Sequence, residues 1–372
     1  VLRVGVDIRP FYEPLTGIGW YLYYLLHALA EHPDVELYLF GDARVTDLGP
    51  HLHCDLPPRA HLCTFDLRGR GEISRIDRAA TAAAYVLWMK LIDPDVMFGA
   101  NYFLPRLHAA VARRRVVTVH DVTYKRFPEL LQNETLANLE RHMKRELVLS
   151  DAVICVSEST RQDVLHFYEA DPRRVVTVLS GLSVPAPATH IPHPTTPKKY
   201  LLFVSTVEPR KNLPVLLDAF EDLKRRGKYD GALVVVGRIG WKSESLLPRL
   251  RGRDVHHLDY LDAAQLAAVY ANADLFVFPS LYEGFGFPLL EAMAHGVPAL
   301  AARSSSLPEV GGDATLYFDP TDAKALAALI ERVDGDPSLR AELVRKGRER
   351  VTQFPWQRAA AQTLAVLRRV SY

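Results

Sequence analysis

The chain has 372 residues, 48% of them hydrophobic and 24% charged, with 45 Lys and Arg against 44 Asp and Glu. That is ample apolar material for packed cores and, at about 100–200 residues per domain, length enough for two domains, so disorder over the whole chain is excluded. A formal net charge of +1, balanced in both halves of the chain, excludes the strongly basic class that grips nucleic acid through its phosphates.

In chain order, β-branched and aromatic runs predict strands at Arg3–Ile8, Val35–Phe40, Leu62–Leu67, Asp95–Gly99, Val116–His120, Ala152–Ser157 and Val175–Leu179. Helical periodicity falls between them at Gly19–Glu31, Ser74–Ile92, Leu136–Ser150 and Ser159–Tyr168. Ser183 to Pro197 then carries five prolines in fifteen residues, which continues neither helix nor central strand and reads as a linker. The alternation restarts with strands at Tyr200–Ser205, Ala232–Gly237, Val255–Tyr260, Leu275–Pro279, Pro298–Ala301 and Thr315–Phe318. Helices are expected at Leu213–Arg226, Ala263–Ala271, Pro288–His295, Ala323–Val333 and Trp356–Val370. Near-continuous apolar strands alternating with helices imply parallel sheets covered on both faces, which take ligands at the carboxyl ends of their strands. The expected division is residues 1–182, a linker 183–199, a second domain 200–355, and a C-terminal helix 356–372 able to pack back on the first domain.

Three cysteines cannot build a disulfide framework, and an odd number fits a reducing compartment. The longest apolar run, Ala79 to Met89, falls short of the roughly 20 residues that span a bilayer. The strand at Arg3–Ile8 leaves no room before it for a signal peptide, so a cytoplasmic protein is expected. His51, His53, Cys54, His61 and Cys63 lack the paired spacing of a structural zinc site. Asp93-Pro-Asp95 is formally a D-x-D pattern, but it lies where Asp and Pro are ordinary turn residues. No metal is expected at either place.

The densest motif is Phe278-Pro-Ser-Leu-Tyr-Glu-Gly-Phe-Gly-Phe-Pro-Leu-Leu-Glu291 with its continuation to Pro298. A strand runs into a loop containing Gly284 and Gly286, and Pro288 stands where a helix should begin, so backbone N–H groups and a helix N-terminus converge as at a diphosphate site. Glu283 precedes the loop and Glu291 lies about one turn inside the helix, so both can face one pocket. Arg210 and Lys211 just before a helix can neutralise a departing diphosphate, or form a solvated basic turn. Gly17 and Gly19 sit between the first strand and an apolar helix, but Leu22 stands where a dinucleotide fingerprint needs its third glycine. His120 and Asp121 end a buried strand. Trp20, Tyr21, Tyr23 and Tyr24 fit helical core packing better than the rim of an acceptor or membrane site.

Glu283-Gly-Phe-Gly-Phe-Pro-Leu-Leu-Glu291 resembles the E-x7-E signature of retaining, nucleotide-sugar-dependent glycosyltransferases of family 4. Ala292 to Pro298, Ser306 to Ala314 and Tyr317 to Pro320 resemble the flanks of that signature. The resemblance implies the α/β GT-B fold, two Rossmann-like doubly wound domains facing a central cleft. It assigns Glu291 to the donor ribose, Glu283 to the donor sugar, and the backbone of Gly284, Phe285, Gly286 and Phe287 to sugar and phosphates. Val204 to Leu213 resembles the phosphate clamp, with Lys211 and Arg210 on the diphosphate. Many family members carry a further basic residue right after that strand, where this chain has Ser205 and Thr206. Gly17 and Gly19 match the glycine loop near the donor phosphates, and His120 the histidine that contacts the donor sugar, with Asp121 orienting it or an acceptor hydroxyl. Gly237 with Arg238, and Tyr260 with Leu261, would meet the base. Ser157 to Thr160 and Ser180-Gly181 resemble loops that face the cleft.

Thr16-Gly-Ile-Gly19, His120-Asp-Val122, Glu208-Pro-Arg-Lys-Asn212 and Glu283-Gly-Phe-Gly286 are most similar to bacterial mannosyl- and rhamnosyltransferase-like members. They imply transfer of a hexosyl group with retention, from a nucleoside-diphosphate sugar to a glycan or lipid-linked saccharide acceptor, in surface polysaccharide or lipopolysaccharide synthesis. GDP-mannose is the first donor expectation. No metal or other cofactor, no nucleic acid, and peripheral contact with the inner face of the membrane go with it. The alternatives are a GT-B-fold sugar-nucleotide epimerase and a catalytically inactive nucleotide-sugar-binding protein.

Overall fold

The computed structural model describes residues 1–11, 15, 17–42, 56–65, 75–130, 133–183 and 196–371. His51, His53, Cys54 and most of the expected linker (184–195) lie outside the described residues. The chain divides into two compact units. The first comprises Val1–Val122, Asn133–Gly181 and Pro355–Tyr372, and the second Thr123–Gln132 and Leu182–Phe354.

In the first unit the described strands are β1 (Leu2–Asp7), β2 (Val35–Asp42), β3 (Ala60–Phe65), β4 (Val96–Gly99), β5 (Arg115–Val119), β6 (Ala152–Cys155) and β7 (Val175–Thr177). They pair in parallel in the order β3-β2-β1-β4-β5-β6-β7. Helices α1 (Gly17–Ala30), α2 (Arg75–Ile92), α3 (Arg106–Val111), α5 (Asn133–Leu149) and α6 (Glu158–Tyr168) alternate with them; α4 (Thr123–Arg126) lies in the second unit. β4 and β6 are buried along their whole length, as strands covered on both faces must be.

In the second unit β8 (Tyr200–Val204), β9 (Ala232–Val236), β10 (Val255–Leu258), β11 (Leu275–Phe278), β12 (Ala299–Ala302) and β13 (Thr315–Phe318) form a parallel sheet in the order β10-β9-β8-β11-β12-β13. Its helices are α7 (Leu213–Arg225), α8 (Leu247–Leu250), α9 (Ala263–Ala271), α10 (Phe287–Ala294), α11 (Leu307–Gly311), α12 (Ala323–Gly335) and α13 (Pro337–Val351). Helix α7 buries Leu213, Leu216, Leu217, Phe220 and Leu223 at helical spacing. In both units the strand order reverses beside the first strand. Loops leaving the two central strands diverge there to opposite faces, and the switch point in the second unit lies between β8 and β11.

The structure departs from the sequence reading most in two places, beside the short helices α3, α4, α8 and α11 that it adds. Thr123–Gln132 belongs to the second unit, not to the first 182 residues. Trp241 Nε1 donates to the Leu130 carbonyl at 2.7 Å, Lys242 Nζ to the Glu129 carbonyl, and the Phe127 ring meets Tyr282 edge-on. Helix α13 was not expected, because only Leu343 and Gly347 are buried along it and its apolar period is faint. Its start is nonetheless marked: the Asp336 side chain accepts from Leu339 N–H, and Pro337 follows at the first helical position. The C-terminal helix α14 (Trp356–Ser371) clusters with the first unit, on which it was expected to be able to pack back, and Trp356 there packs on Tyr21 and Tyr24.

Candidate active site

In the second unit the switch point gathers the charged residues. After β8 the chain makes a short 3-10 turn, Pro209–Lys211, and Asn212 in the left-handed conformation (φ 54°) turns it into α7. The Asn212 amide donates to the carbonyls of Pro279 at 3.1 Å and Pro320 at 2.7 Å, tying this turn to the loops after β11 and β13. Leu281 N–H donates to the Arg210 carbonyl at 2.9 Å. The turn and the Ser280–Gly286 loop are therefore held as one piece.

Across that junction Lys211 Nζ donates to Glu283 Oε1 at 2.7 Å, and Arg210 Nη1 to Glu283 Oε2 at 3.0 Å and to the Tyr282 carbonyl at 2.9 Å. The other side of the Arg210 guanidinium meets Glu208 Oε1, from Nε at 3.1 Å and Nη2 at 2.8 Å. Glu208, Lys211 and Glu283 are 5%, 9% and 7% exposed, so two carboxylates and two cations neutralise one another out of water. Burial pushes the Glu283 carboxyl upward, but the Lys211 ammonium and the Arg210 guanidinium outweigh it and hold the group below the ordinary carboxylate range. Burial, reinforced by Arg210, pulls the Lys211 ammonium below the ordinary lysine value despite Glu283.

The glutamate loop is fastened by three consecutive serines after β12. Ser305 Oγ accepts from Glu283 N–H at 2.7 Å. Ser306 Oγ contacts the Glu283 and Phe285 carbonyls at 3.0 and 2.8 Å, and Ser304 donates to the Ser280 carbonyl at 2.6 Å. Gly286, at φ 109°, opens α10 from a conformation that a side chain would strain, and a Cβ there would stand 2.8 Å from Leu307. No side chain caps that helix; Pro288 has no N–H and Leu289 N–H donates to the Gly286 carbonyl at 3.1 Å, so the Phe287 N–H and the positive helix end head it. Helix α10 begins at Phe287, one residue before the position expected from Pro288. Phe285 is core, packed on Phe287 and Phe354, so this residue offers its backbone alone.

Glu291 takes a partner outside the Glu283 cluster. Its Oε2 accepts from the Tyr270 hydroxyl at 2.9 Å, and Tyr270 stacks face to face on His295 with ring centroids 5.4 Å apart. Burial pushes the Glu291 carboxyl up and the Tyr270 hydroxyl well up. At the ends of β9 and β10, Gly237 (φ 138°) passes so close to Ser205 that a Cβ would stand 2.1 Å from its carbonyl oxygen. The Arg238 guanidinium lies 5.1 Å from the centre of the exposed Tyr260 ring, and Leu261 follows, half-buried.

In the first unit His120 follows β5, with Nε2 2.7 Å from the Ala100 carbonyl oxygen. A carbonyl accepts only, so Nε2 carries the proton and Nδ1 is left as an acceptor. The ring stands edge-on to Tyr21 and Tyr102, and burial pulls its pKa below the ordinary value. Thr160 Oγ1 donates to the His120 carbonyl, while Ser157 caps α6, so the Ser157–Thr160 segment supports the histidine backbone. Asp121, half-buried, comes next. Gly17 and Gly19 lie inside the first turn of α1, with Gly19 close against Leu15, so the helix starts two residues earlier than expected. Gly181 lies beneath the Trp356 ring. Trp20 is 43% exposed and stacks on Tyr24, whereas Tyr21 is buried, so the aromatic run is only partly core.

Asp93 and Asp95 serve the turn expected of them: Asp93 pairs with Arg113 and Asp95 accepts from Arg3 N–H at 2.8 Å. Among the described residues no three His, Cys, Asp or Glu side chains are grouped to hold a metal ion, and no helix is long and apolar enough to cross a membrane. The sequence reading missed Glu208, Asn212, Tyr270 and Ser304 to Ser306. Glu208 and Asn212 stand in a quoted motif and the serines form a conspicuous run, but Tyr270 has no signal beyond an apolar helix.

Two family models match the chain, "Glycosyltransferase Family 4" over residues 15–184 and "Glycosyl transferases group 1" over residues 189–350. The chain is 31% identical over 380 residues to the O-antigen chain mannosyltransferase B of Escherichia coli, covering 98% of each. The chain belongs to this glycosyltransferase family. It is also 28% identical over 266 residues to the MMP alpha-(1->4)-mannosyltransferase of Mycolicibacterium hassiacum, over 70% of this chain and 63% of that one. Among solved structures, the sucrose-phosphate synthase of Thermosynechococcus elongatus superposes with a TM-score of 0.73 at 22% identity, covering 99% of each. Anabaena HepE in complex with UDP and glucose gives 0.72 at 18% identity, over 99% of this chain and all of that one. These likenesses identify the fold of this glycosyltransferase as GT-B, two Rossmann-like parallel sheets.

Proposed function

We propose that this glycosyltransferase moves a mannosyl group, with retention of configuration and without a metal, from GDP-mannose to a glycan or lipid-linked saccharide acceptor in surface polysaccharide synthesis. The observation that carries the reading is the convergence of Lys211, Arg210 and Glu283 with the uncapped start of α10 at the switch point of the second sheet. Cations and a positive helix end suit a diphosphate leaving group without a divalent ion. The full-length similarity to a mannosyltransferase of O-antigen chains supports the sugar and the polymer.

In this reading Glu291, steadied by Tyr270, takes the ribose hydroxyls, and Gly237, Arg238, Tyr260 and Leu261 receive the base. The diphosphate takes Lys211, Arg210 and the N–H groups from Gly284 to Phe287, with Gly17 and Gly19 on the phosphate side. Glu283, displaced from its cations, turns to the donor sugar, and His120, positioned by Asp121, accepts a hydrogen bond from a sugar hydroxyl at Nδ1. The C1–phosphate bond breaks as the acceptor oxygen bonds to the same face of C1, and the acceptor proton passes to the departing phosphate oxygen. Both carboxylates of the cluster, Glu208 and Glu283, are paired with cations, which favours this front-side route over a double displacement.

The test is product analysis with GDP-mannose and a mannose-terminated lipid-linked acceptor, with EDTA present. Free GDP plus an α-linked mannoside is the expected result. A new nucleotide sugar would make the protein an epimerase, whereas nucleotide binding without turnover would mark an inactive binding protein.

A further inference from the structure

Glu208 is the member of the charged cluster to which the family resemblance gives no role. It stands two residues from Arg210 on the same 3-10 turn, and Lys211 N–H donates to its carbonyl at 3.0 Å. Its two hydrogen bonds from Arg210 run between side chains, and the backbone turn keeps the two residues adjacent. Glu283 belongs to a different loop and reaches Arg210 and Lys211 from across the junction. An incoming diphosphate can replace Glu283 on those cations, whereas Glu208 stays beside Arg210 on the same turn, so its charge remains next to the site even if a side chain rotates.

We infer that Glu208 is a permanent counterion to Arg210 that lowers the affinity of this site for a diphosphate and so lets the diphosphate product leave. The inference rests on the phosphate-binding reading of Arg210 and Lys211. With Glu208 ionised, the two cations present a net charge of one to the ligand once Glu283 has withdrawn; without it they present two. At an effective dielectric of about 20, one unit charge several ångströms from a phosphate changes affinity by about tenfold or more. Glu208→Gln isolates the effect, because the amide oxygen still accepts from Arg210 Nε and Nη2 while the charge is gone.

The experiment is calorimetric titration of wild type, Glu208→Gln, Glu208→Ala and Glu208→Asp with inorganic pyrophosphate, GDP and guanosine at fixed ionic strength, after circular dichroism has shown which variants fold. Pyrophosphate and GDP should bind about tenfold tighter to Glu208→Gln, and tighter to Glu208→Ala, with guanosine unaffected and Glu208→Asp at the wild-type value. GDP-mannose turnover by Glu208→Gln should become limited by GDP release. Unchanged or weaker pyrophosphate binding by the folded neutral variants, or equal tightening in Glu208→Asp, overturns the inference while leaving the phosphate site intact. A wild-type protein that binds neither pyrophosphate nor GDP overturns the phosphate-site reading, and this inference falls with it.

Discussion

Lys211 Nζ lies 2.7 Å from Glu283 Oε1, with both side chains almost fully buried, so each is the other's principal compensation for lost water. A pair of this kind adds little net stability compared with an apolar pair, but removing one partner strands a buried charge. Glu283→Ala should cost about 3–5 kcal/mol in urea unfolding and lower turnover at least about tenfold. Lys211→Met together with Glu283→Leu should recover much of the stability and none of the turnover. Additive losses in the double variant would show that the contact is not the reason for the cost.

The pH dependence follows from opposite shifts. The folded Glu283 carboxyl titrates below its unfolded value, so its contribution is present above the ordinary carboxylate range of about 4.3 and is lost as pH falls through the lower folded value. The folded His120 imidazole also titrates below its unfolded value, so stability is complete above about pH 6.5 and declines as pH falls from there through the folded value. Glu291 is shifted upward, so its ionisation works against folding as pH rises through the raised value. Urea midpoints from pH 4 to 8 should therefore fall below pH 6.5 less steeply for His120→Asn than for wild type. Glu291→Gln should gain stability at neutral pH. An unchanged acid limb in His120→Asn would remove the histidine from the account.

Tyr270 acts on Glu291 through one hydroxyl. Tyr270→Phe keeps the ring stacked on His295 but removes the 2.9 Å hydrogen bond. Loss of a hydrogen bond to a charged group should cost about 1.5–3 kcal/mol of stability. Nucleoside diphosphate affinity should fall severalfold, since the carboxylate is no longer aimed. Calorimetry with GDP checks both the direction and the dependence on Glu291, because Tyr270→Phe should have no effect on affinity in a Glu291→Ala background, which leaves the hydroxyl no acceptor there.

Ser305, held at φ 41°, is in a strained conformation for a non-glycine residue, and its oxygen receives the Glu283 N–H. Ser305→Ala should lower kcat about tenfold with little change in KM, because the loop that presents Glu283 loosens while the ribose and base contacts persist. Ser305→Thr, which keeps the acceptor oxygen, should restore part of that loss. Equal effects of Ala and Thr on kcat would point to a packing defect instead.

Trp356 should prove important to the first unit. Its ring, 6% exposed, covers Gly181 and packs on Tyr21 and Tyr24. Trp356→Ala should cost about 3–5 kcal/mol of unfolding free energy for that unit, read by urea titration. If α14 contributed nothing to the unit, the cost would stay below about 1 kcal/mol.

Much of this architecture was legible in the residues themselves, because its determinants are local. Thirteen expected strands correspond to the described strands β1 to β13 with ends displaced by a few residues, since β-branched runs buried on both faces are continuous in sequence. Glu283 to Glu291 likewise announces a strand, a glycine loop and a helix start within one short stretch, where backbone geometry alone sets the spacing. Helix α13 escaped notice because just two of its residues meet the core. The membership of Thr123–Gln132 in the second unit depends on Trp241 and Lys242, more than a hundred residues away.

The electrostatics of the site were decided only by the tertiary structure. Lys211 and Glu283 are 72 residues apart, and Arg210 is equally far from the loop it braces. Nothing in either segment says that the basic turn and the glutamate loop neutralise one another, because that depends on β8 and β11 being neighbours in the sheet. Separation of the two signature glutamates follows the same logic: Glu291 is claimed by Tyr270 from α9, and Glu283 by the turn after β8. Sequence spacing determines which groups can share a loop or a helix face, whereas desolvation and the partner that arrives from another strand determine the charge those groups carry.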